Sequence, residues 1–349
     1  MSLQELGISH KKIKKKYVEY FNFRGEIKDI PSKIEELYQK YNNLAGKSVI
    51  AVIDFGVYSE GGKDIDLCFN LSDHKRLNDL EIKYLNESEV LSITHYGTIN
   101  TVNETLQVIR SYLQDHLVSG TSTLRLVFHK YNNVNLEENQ IEIQYQLHKW
   151  DNRLEKSIDK VLGKKTRNEI MKDREILFAV NSSAEQRLQW LKDTLIRIDN
   201  IADDYKKYEI ISRCAHDFSQ KRINYMKSIY QKKRDIDDVI EEMNKDYTWY
   251  EKLKREGNII YVSKIPVNPE EYEKAENIEE KKKNYCHCRF INNNLDKGIS
   301  PTFCYCGTGW YRQQWEGILE KPVRIEILKS LLKGDDFCQV AIHLPLDDN

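Results

Sequence analysis

The chain contains little proline and glycine and carries almost no net charge. Six prolines and 15 glycines stand in 349 residues, and 54 lysines and arginines are matched by 55 aspartates and glutamates, for a formal net charge of −1. Low-complexity segments are also absent. A charge balance this even gives no whole-chain attraction to nucleic acid or to an anionic membrane.

Long apolar runs are missing as well. No run reaches the roughly 18 apolar residues that a membrane-spanning helix requires, and residues 1–16 are polar and then basic, unlike a secretory signal. The cysteines number seven, an odd count that indicates a reducing compartment rather than a disulfide framework. We therefore expect a cytoplasmic protein, long enough for two domains.

The first part of the chain, residues 10–150, repeats one pattern twice. Each copy has an alternating strand, a glycine, a helix-like stretch, a compact apolar strand and a final alternating strand; Leu106, Ile109 and Leu113 mark the apolar face of the second helix. The pattern predicts a duplicated α+β fold, in which two strand–helix–strand–strand units are related by a pseudo-twofold axis and their sheets face a shared cleft.

Two carboxylates occupy equivalent places in the last strands of the two copies, Asp66 and Glu142. A strand carboxylate is usually found on a solvated outer face. The alternative is a pocket acid, which would select a cationic or hydrogen-bond-donating ligand because a buried carboxylate is unfavourable unless it is paired.

The duplicated unit resembles the gyrase-inhibitor-like effector-binding domain of bacterial multidrug-sensing regulators. The resemblance rests on the runs from Phe55 to Tyr58, from His95 to Gly97 and from Ile141 to Ile143. It implies that Glu142 lies in an aromatic pocket for lipophilic, often cationic, molecules, with Tyr58 and Tyr96 at positions where the family often has aromatics. Some family members are hydrolases, so the resemblance leaves both binding and catalysis open.

Regulators of this family carry a helix-turn-helix ahead of the domain, and the lysine-rich run 11–16 is too short to replace it. A short lysine run is usually a solvated segment. We therefore expect no direct DNA binding.

The composition changes after Trp150. Residues 151–180 are rich in charge and are predicted to form a linker. Residues 181–349 are predicted to form a helical layer on a small antiparallel sheet, because three helical stripes precede a set of short strands.

Five of the seven cysteines lie in the last 65 residues. They are Cys286, Cys288, Cys304, Cys306 and Cys338. If the two Cys-x-Cys pairs lie on strands, each presents two sulfurs to one point. Three interpretations stay open: a zinc site, redox chemistry between neighbouring thiols, and the packing of cysteine as a small apolar residue.

The C-terminal part, about residues 258–345, resembles the 4-vinyl reductase domain, a small-ligand-binding module whose relatives include aminothiazoline-carboxylate hydrolase-like proteins. The resemblance implies that Cys304 and Cys338 match two zinc ligands of one branch of the family. Ile327 and Ser330 replace the other two ligands. Cys286, Cys288 or Cys306 would then have to complete a site for Zn²⁺.

These observations favour a protein that binds a small organic ligand, a sensor or carrier for lipophilic or aromatic and possibly cationic compounds. The alternative is a small-molecule hydrolase that uses Glu142 as a base or a cysteine-bound metal. A structural scaffold without a ligand is the third class.

Overall fold

The computed structural model describes residues 3–44, 47–59, 62–71, 76–77, 79–116, 118–132, 135–177, 182–245, 251–288 and 290–345. The chain divides into two compact units, Met1–His148 and Lys149–Asn349. Both units combine helices with antiparallel sheet, so the predicted α+β class is confirmed. No helix in the described ranges is long and apolar enough to span a membrane.

The described residues of the first unit form eight strands and two α-helices. In chain order they are β1 (Ser9–Ile13), β2 (Lys16–Gly25), α1 (Ile30–Lys40), β3 (Val49–Ser59), β4 (Gly62–Asn70), β5 (Glu81–Leu85), β6 (Ser88–Tyr96), α2 (Val102–Asp115), β7 (Gly120–Lys130) and β8 (Gln140–Leu147).

The order of the strands in the sheet shows the duplication. That order is β1-β6-β8-β7-β3-β4-β2-β5, in which the central pair β7–β3 is flanked on each side by corresponding strands of the two copies. The two copies therefore form one continuous sheet, joined where Ile50 pairs with Val127. The expectation of two sheets facing each other is wrong in this respect, because β3 and β7 satisfy each other's backbone hydrogen bonds.

Strands β1 and β5 are additions that the repeat pattern did not predict. Each belongs to one copy and pairs with the other: β1 pairs with β6, and β5 pairs with β2. The first overlaps the start of the lysine-rich run, where exposed side chains hide the period of the strand.

The sheet is strongly curved because two short links cross between its edges. Residues 14–15 join β1 to β2, and residues 86–87 join β5 to β6, although the joined strands lie toward opposite ends of the strand order. Two linking residues span only about 10 Å. The edges must therefore approach each other, and the face near these links is concave.

The two faces of the sheet differ in what covers them. One face packs against the apolar sides of α1 and α2, including the predicted Leu106, Ile109 and Leu113, in the main core of the unit. The other, concave face carries a smaller apolar cluster. Its buried members are Val18, Ile50, Cys68, Leu85 and Val127. Asp66 and Glu142 belong to this face, since their cross-strand neighbours are Val52 and Val127.

The second unit contains eight α-helices and four strands in the described ranges. They are α3 (Trp150–Ile170), α4 (Ala184–Ile201), α5 (Asp204–Ile211), α6 (Gln220–Lys233), α7 (Ile236–Asn244), β9 (Glu251–Glu256), β10 (Ile259–Lys264), α8 (Pro269–Lys274), α9 (Ile278–Tyr285), α10 (Tyr305–Leu319), β11 (Arg324–Lys329) and β12 (Gln339–His343). The sheet order is β11-β12-β10-β9, and Trp315 and Tyr311 of α10 lie in its core.

The segment 151–180, which the sequence suggested as a linker, contains most of α3. Leu154 and Ile158 are fully buried on one face of this helix, while the charged residues cover the remainder. Gly163 interrupts the helix with a φ of 82°, a conformation that glycine adopts without steric strain. The high charge content and this glycine together concealed the helical period.

Candidate functional site

The concave face of the first unit holds a buried acid, Glu142, on β8. Its side chain is in contact with three polar groups that come from three other strands. Lys11 Nζ donates to Oε1 at 2.9 Å, Ser92 Oγ donates to the same oxygen at 2.5 Å, and His129 Nε2 lies 2.9 Å from Oε2. Glu142 is only 7% exposed, so its charge is compensated by these partners rather than by bulk water.

These contacts hold Glu142 in its ionised form. Burial by itself raises the pKa of a carboxyl group, but the hydrogen bonds from Ser92, Lys11, His129 and Gln144 outweigh burial and lower the pKa of Glu142 from 4.5 to about 2. The carboxylate is therefore negative at any physiological pH. A carboxylate with so low a pKa is a weak general base, which favours a binding role over a catalytic one.

The second predicted acid, Asp66, occupies the corresponding place in the first copy. It binds Lys83 Nζ and accepts a hydrogen bond from Asn22 Nδ2 at 2.6 Å. The lysines correspond as well, since Lys83 pairs across the sheet with Val18, and Lys11 pairs with Val90. The pseudo-twofold axis therefore relates two acid–lysine pairs on one face.

The surroundings of the two acids differ. Lys83 Nζ also lies 4.3 Å from the centre of the Tyr20 ring, a cation–π contact that holds the ammonium in place. In the second copy Ser92 stands at the position of Tyr20, and Lys11 makes its contact from an edge strand with 45% of its side chain exposed. The Lys11–Glu142 pair is thus the more accessible of the two.

A cleft of about 230 Å³ lies beside Glu142. Its lining combines apolar, polar and charged side chains from strands of both copies. They are Ile13, Lys16, Ser48, Ile50, Asn70, Arg125, Val127, His129, Glu142 and Gln144. This volume is below the roughly 300–1,000 Å³ of most ligand pockets, so the cleft fits a small ligand or one part of a larger one.

Of the two predicted aromatic residues, Tyr96 is not among these lining residues. Tyr96 stands at the end of β6 and is 67% exposed. The side chain of Tyr58 lies outside the described residues. The aromatic character that the family resemblance implied is therefore absent from the described lining, apart from the imidazole of His129.

Sequence reasoning missed the most unusual residue of the cleft, Arg125 on β7. Arginine is rarely fully buried unless it is paired, yet Arg125 is 4% exposed and lines the cleft. Only its position between Leu124 and Leu126, inside the apolar stretch 124–128, could have indicated an inward guanidinium.

The C-terminal cysteines lie on helices, turns and loops rather than on strands. Cys286 and Cys288 follow the end of α9, and Cys304 and Cys306 lie in a 3₁₀ turn and in α10. Neither Cys-x-Cys pair lies on a strand, the condition under which each would present two sulfurs to one point, and on a helix residues i and i+2 point to different sides. Within the described ranges no three His, Cys, Asp or Glu side chains form a group that could hold a metal ion.

Burial raises the pKa of these thiols, that of Cys304 and that of Cys306 to about 12. Protonated thiols are poor nucleophiles, which argues against redox chemistry between them. Burial raises the pKa of the Cys338 thiol as well. A zinc site on Cys304 and Cys338, completed by Cys286, Cys288 or Cys306, stays a prediction. Packing of the sulfurs as small apolar groups agrees best with the geometry.

Comparisons with known proteins add likenesses of fold only. No protein-family model and no curated protein matches the chain. Among solved structures it is similar to the EcmrR C-terminal domain, with 15% identity, a TM-score of 0.33, and coverage of 40% of this chain and 96% of the other.

Two further structures give similar values. SAV2435 bound to tetraphenylphosphonium has 9% identity and a TM-score of 0.32, covering 42% of this chain and 96% of its own. A hydrolase encoded by lin2189 from Listeria innocua has 5% identity and a TM-score of 0.31, covering 40% and 91%. Neither these matches nor the cysteine geometry supports the 4-vinyl reductase resemblance.

Proposed function

We propose that the first unit binds a small organic molecule in the cleft on its concave face, with Glu142 as the polar anchor. The observation that carries the proposal is a buried carboxylate that remains charged and lines a cleft. Such a group favours a ligand that brings a positive charge or hydrogen-bond donors. The ligand class is a small lipophilic or aromatic cation, and the protein acts as a sensor or carrier.

The mode of binding follows from the position of Lys11. Its ammonium neutralises Glu142 from an edge strand, and its side chain is nearly half exposed, so it moves into water at little energetic cost. A ligand cation then takes its place against Oε1, where Ser92 and His129 keep the carboxylate oriented. The lysine occupies the site until a ligand displaces it.

Asp66 is the corresponding acid of the other copy and a second, weaker candidate anchor, because Tyr20 holds its lysine in place. Tyr58 and Tyr96 are proposed contacts only for a ligand that extends beyond the cleft. The partner is a small molecule rather than nucleic acid, a choice that the formal net charge of −1 supports. Seven free cysteines support a reducing, cytoplasmic location.

Removal of Lys11 tests this displacement. We expect Lys11→Met to raise the affinity for benzyltrimethylammonium by about three- to tenfold. The ligand then no longer competes with the Lys11 ammonium, whose ion pair with Glu142 contributes roughly 1 kcal/mol. Isothermal titration calorimetry on the full chain measures the change. Lys83→Met is the matched control in the other copy and should leave the affinity unaltered. Unchanged or weaker binding to the Lys11 variant would contradict the proposal.

A further inference from the structure

Arg125 is the one buried cation of the cleft lining that has no acidic partner within 4.0 Å in the described part of the chain. Its Nη2 donates one long hydrogen bond, 3.3 Å, to the carbonyl oxygen of Asn86. Its Nε and Nη1 atoms are buried and find no hydrogen-bond acceptor among the described residues. Three of the five N–H groups of the guanidinium are therefore unsatisfied.

The groups that face Arg125 do not compensate its charge. Its cross-strand neighbours are Val52 on β3 and Gln144 on β8, and the buried thiol of Cys68 is the group that interacts with it electrostatically. The nearest acid of the lining, Glu142, is already engaged by Lys11 and His129. Buried charged donors without acceptors are strongly unfavourable, so the fold alone gives no reason for this residue.

The internal duplication supplies a direct comparison. Asp66 pairs with Val52 and Glu142 pairs with Val127, so these two valines correspond. Two residues earlier on each strand, Ile50 corresponds to Arg125. The same position of the same fold thus accepts a buried apolar side chain in one copy. The arginine is therefore not required for packing, and its charge needs another explanation.

We infer that Arg125 is an anion-binding pole of the cleft, and that the ligand is a small zwitterion with an amine toward Glu142 and a carboxylate toward Arg125. The inference rests on the proposed function and narrows its ligand class. A guanidinium matches a carboxylate through two parallel hydrogen bonds. Because Nε and Nη1 are covered, the carboxylate meets them after the flexible side chain turns into the cleft that it already lines.

The spacing of the two poles suits one molecule. Arg125 pairs with Gln144, and Glu142 is two residues further along β8. Diagonal neighbours of this kind lie about 7–8 Å apart on the sheet. Long side chains can reach across that separation, yet Arg125 and Glu142 form no ion pair within 4.0 Å in the described part of the chain. An amine and a carboxylate of one short molecule can therefore lie between them.

Three probes built on one benzene ring separate the contributions of Glu142 and Arg125. They are benzylammonium, benzoate and 4-(aminomethyl)benzoate, titrated against the full wild-type chain, Arg125→Met, Arg125→Lys and Glu142→Gln. We expect the zwitterion to bind wild type at least tenfold more tightly than benzylammonium. Arg125→Met should abolish that preference without weakening benzylammonium, and Arg125→Lys should restore part of it because the charge is kept.

The melting temperature separates a binding role from a structural one. We expect Arg125→Met to melt at or above the temperature of wild type, since a methionine of similar length removes an unpaired buried charge. A lower melting temperature with an unchanged preference for the zwitterion would assign Arg125 to the fold and overturn the inference.

The binding outcomes distinguish this inference from the proposed function. Benzylammonium that binds through Glu142, without preference for the zwitterion, overturns the inference and leaves the proposed function standing. If benzoate binds through Arg125 and benzylammonium does not bind, Arg125 is confirmed as an anion-binding residue and the proposed cationic ligand is contradicted. No binding of any probe to wild type overturns both.

Discussion

Gly309→Ala should destabilise the second unit by about 3 kcal/mol or more, the largest effect expected from a methyl group added at any glycine in the described ranges. Gly309 lies in α10, where a Cβ atom would stand 1.8 Å from the carbonyl oxygen of Ser212 and 2.7 Å from Cβ of Ala215. Both neighbours belong to or follow a 3₁₀ turn, Ser212–Cys214. Because a backbone oxygen cannot move aside as a side chain does, the helix itself must shift.

The same helix provides the control. A Cβ atom at Gly307 meets no atom within 4 Å, so Gly307→Ala should stabilise the chain by about 0.5–1 kcal/mol through the higher helix propensity of alanine. Denaturant unfolding monitored by circular dichroism compares the two variants. Equal stabilities for them would show that α10 does not pack against the Ser212 turn as described.

Glu142→Gln should remove about 2 kcal/mol of stability from the first unit at neutral pH. Lowering the pKa of Glu142 from 4.5 to about 2 corresponds to about 3 kcal/mol, which solvent screening reduces to about 2. Because the folded pKa lies below the unfolded one, this stabilisation is present above about pH 4.5 and is lost as the pH falls through about 2. As the pH is lowered from about 4.5 to about 2, the unfolding free energy of wild type should therefore fall relative to that of Glu142→Gln.

Glu138→Gln controls for this experiment. Lys130 lowers the pKa of Glu138 as well, but that pair lies at the surface, where removing one member has a small effect. If the difference between wild type and Glu142→Gln does not change between pH 4.5 and 2, the hydrogen bonds to Glu142 are not formed in solution.

The sequence predicted the first unit best where the spacing of the apolar residues follows the period of a helix or a strand. Leu106, Ile109 and Leu113 follow a clean helical period, and all three are buried. Glu142 could be identified because polar and apolar residues alternate along its strand, and because Asp66 occupies the equivalent place in the other copy. Strand β1 was missed because its charged side chains face water, and pairing of the backbone leaves no trace in side-chain composition.

The second unit shows where local patterns fail. Alternation alone could not decide whether the Cys-x-Cys pairs lie on strands, and helix α10 begins at Tyr305 despite the glycines at 307 and 309. Tight packing against a neighbouring turn requires Gly309 there, a tertiary contact that no local period records. Burial of Arg125 is likewise invisible in sequence, because it depends on how β3, β7 and β8 meet across the two copies.

The affinity of the full chain for benzyltrimethylammonium, compared between wild type and Glu142→Gln at pH 7, tests the central claim most directly. Losing a charge partner in a desolvated site costs roughly 2–5 kcal/mol, so the glutamine variant should bind at least tenfold more weakly. Asp66→Asn, the equivalent change in the other copy, should bind like wild type. Equal affinities for wild type and Glu142→Gln, or a loss confined to Asp66→Asn, would contradict Glu142 as the anchor of the ligand.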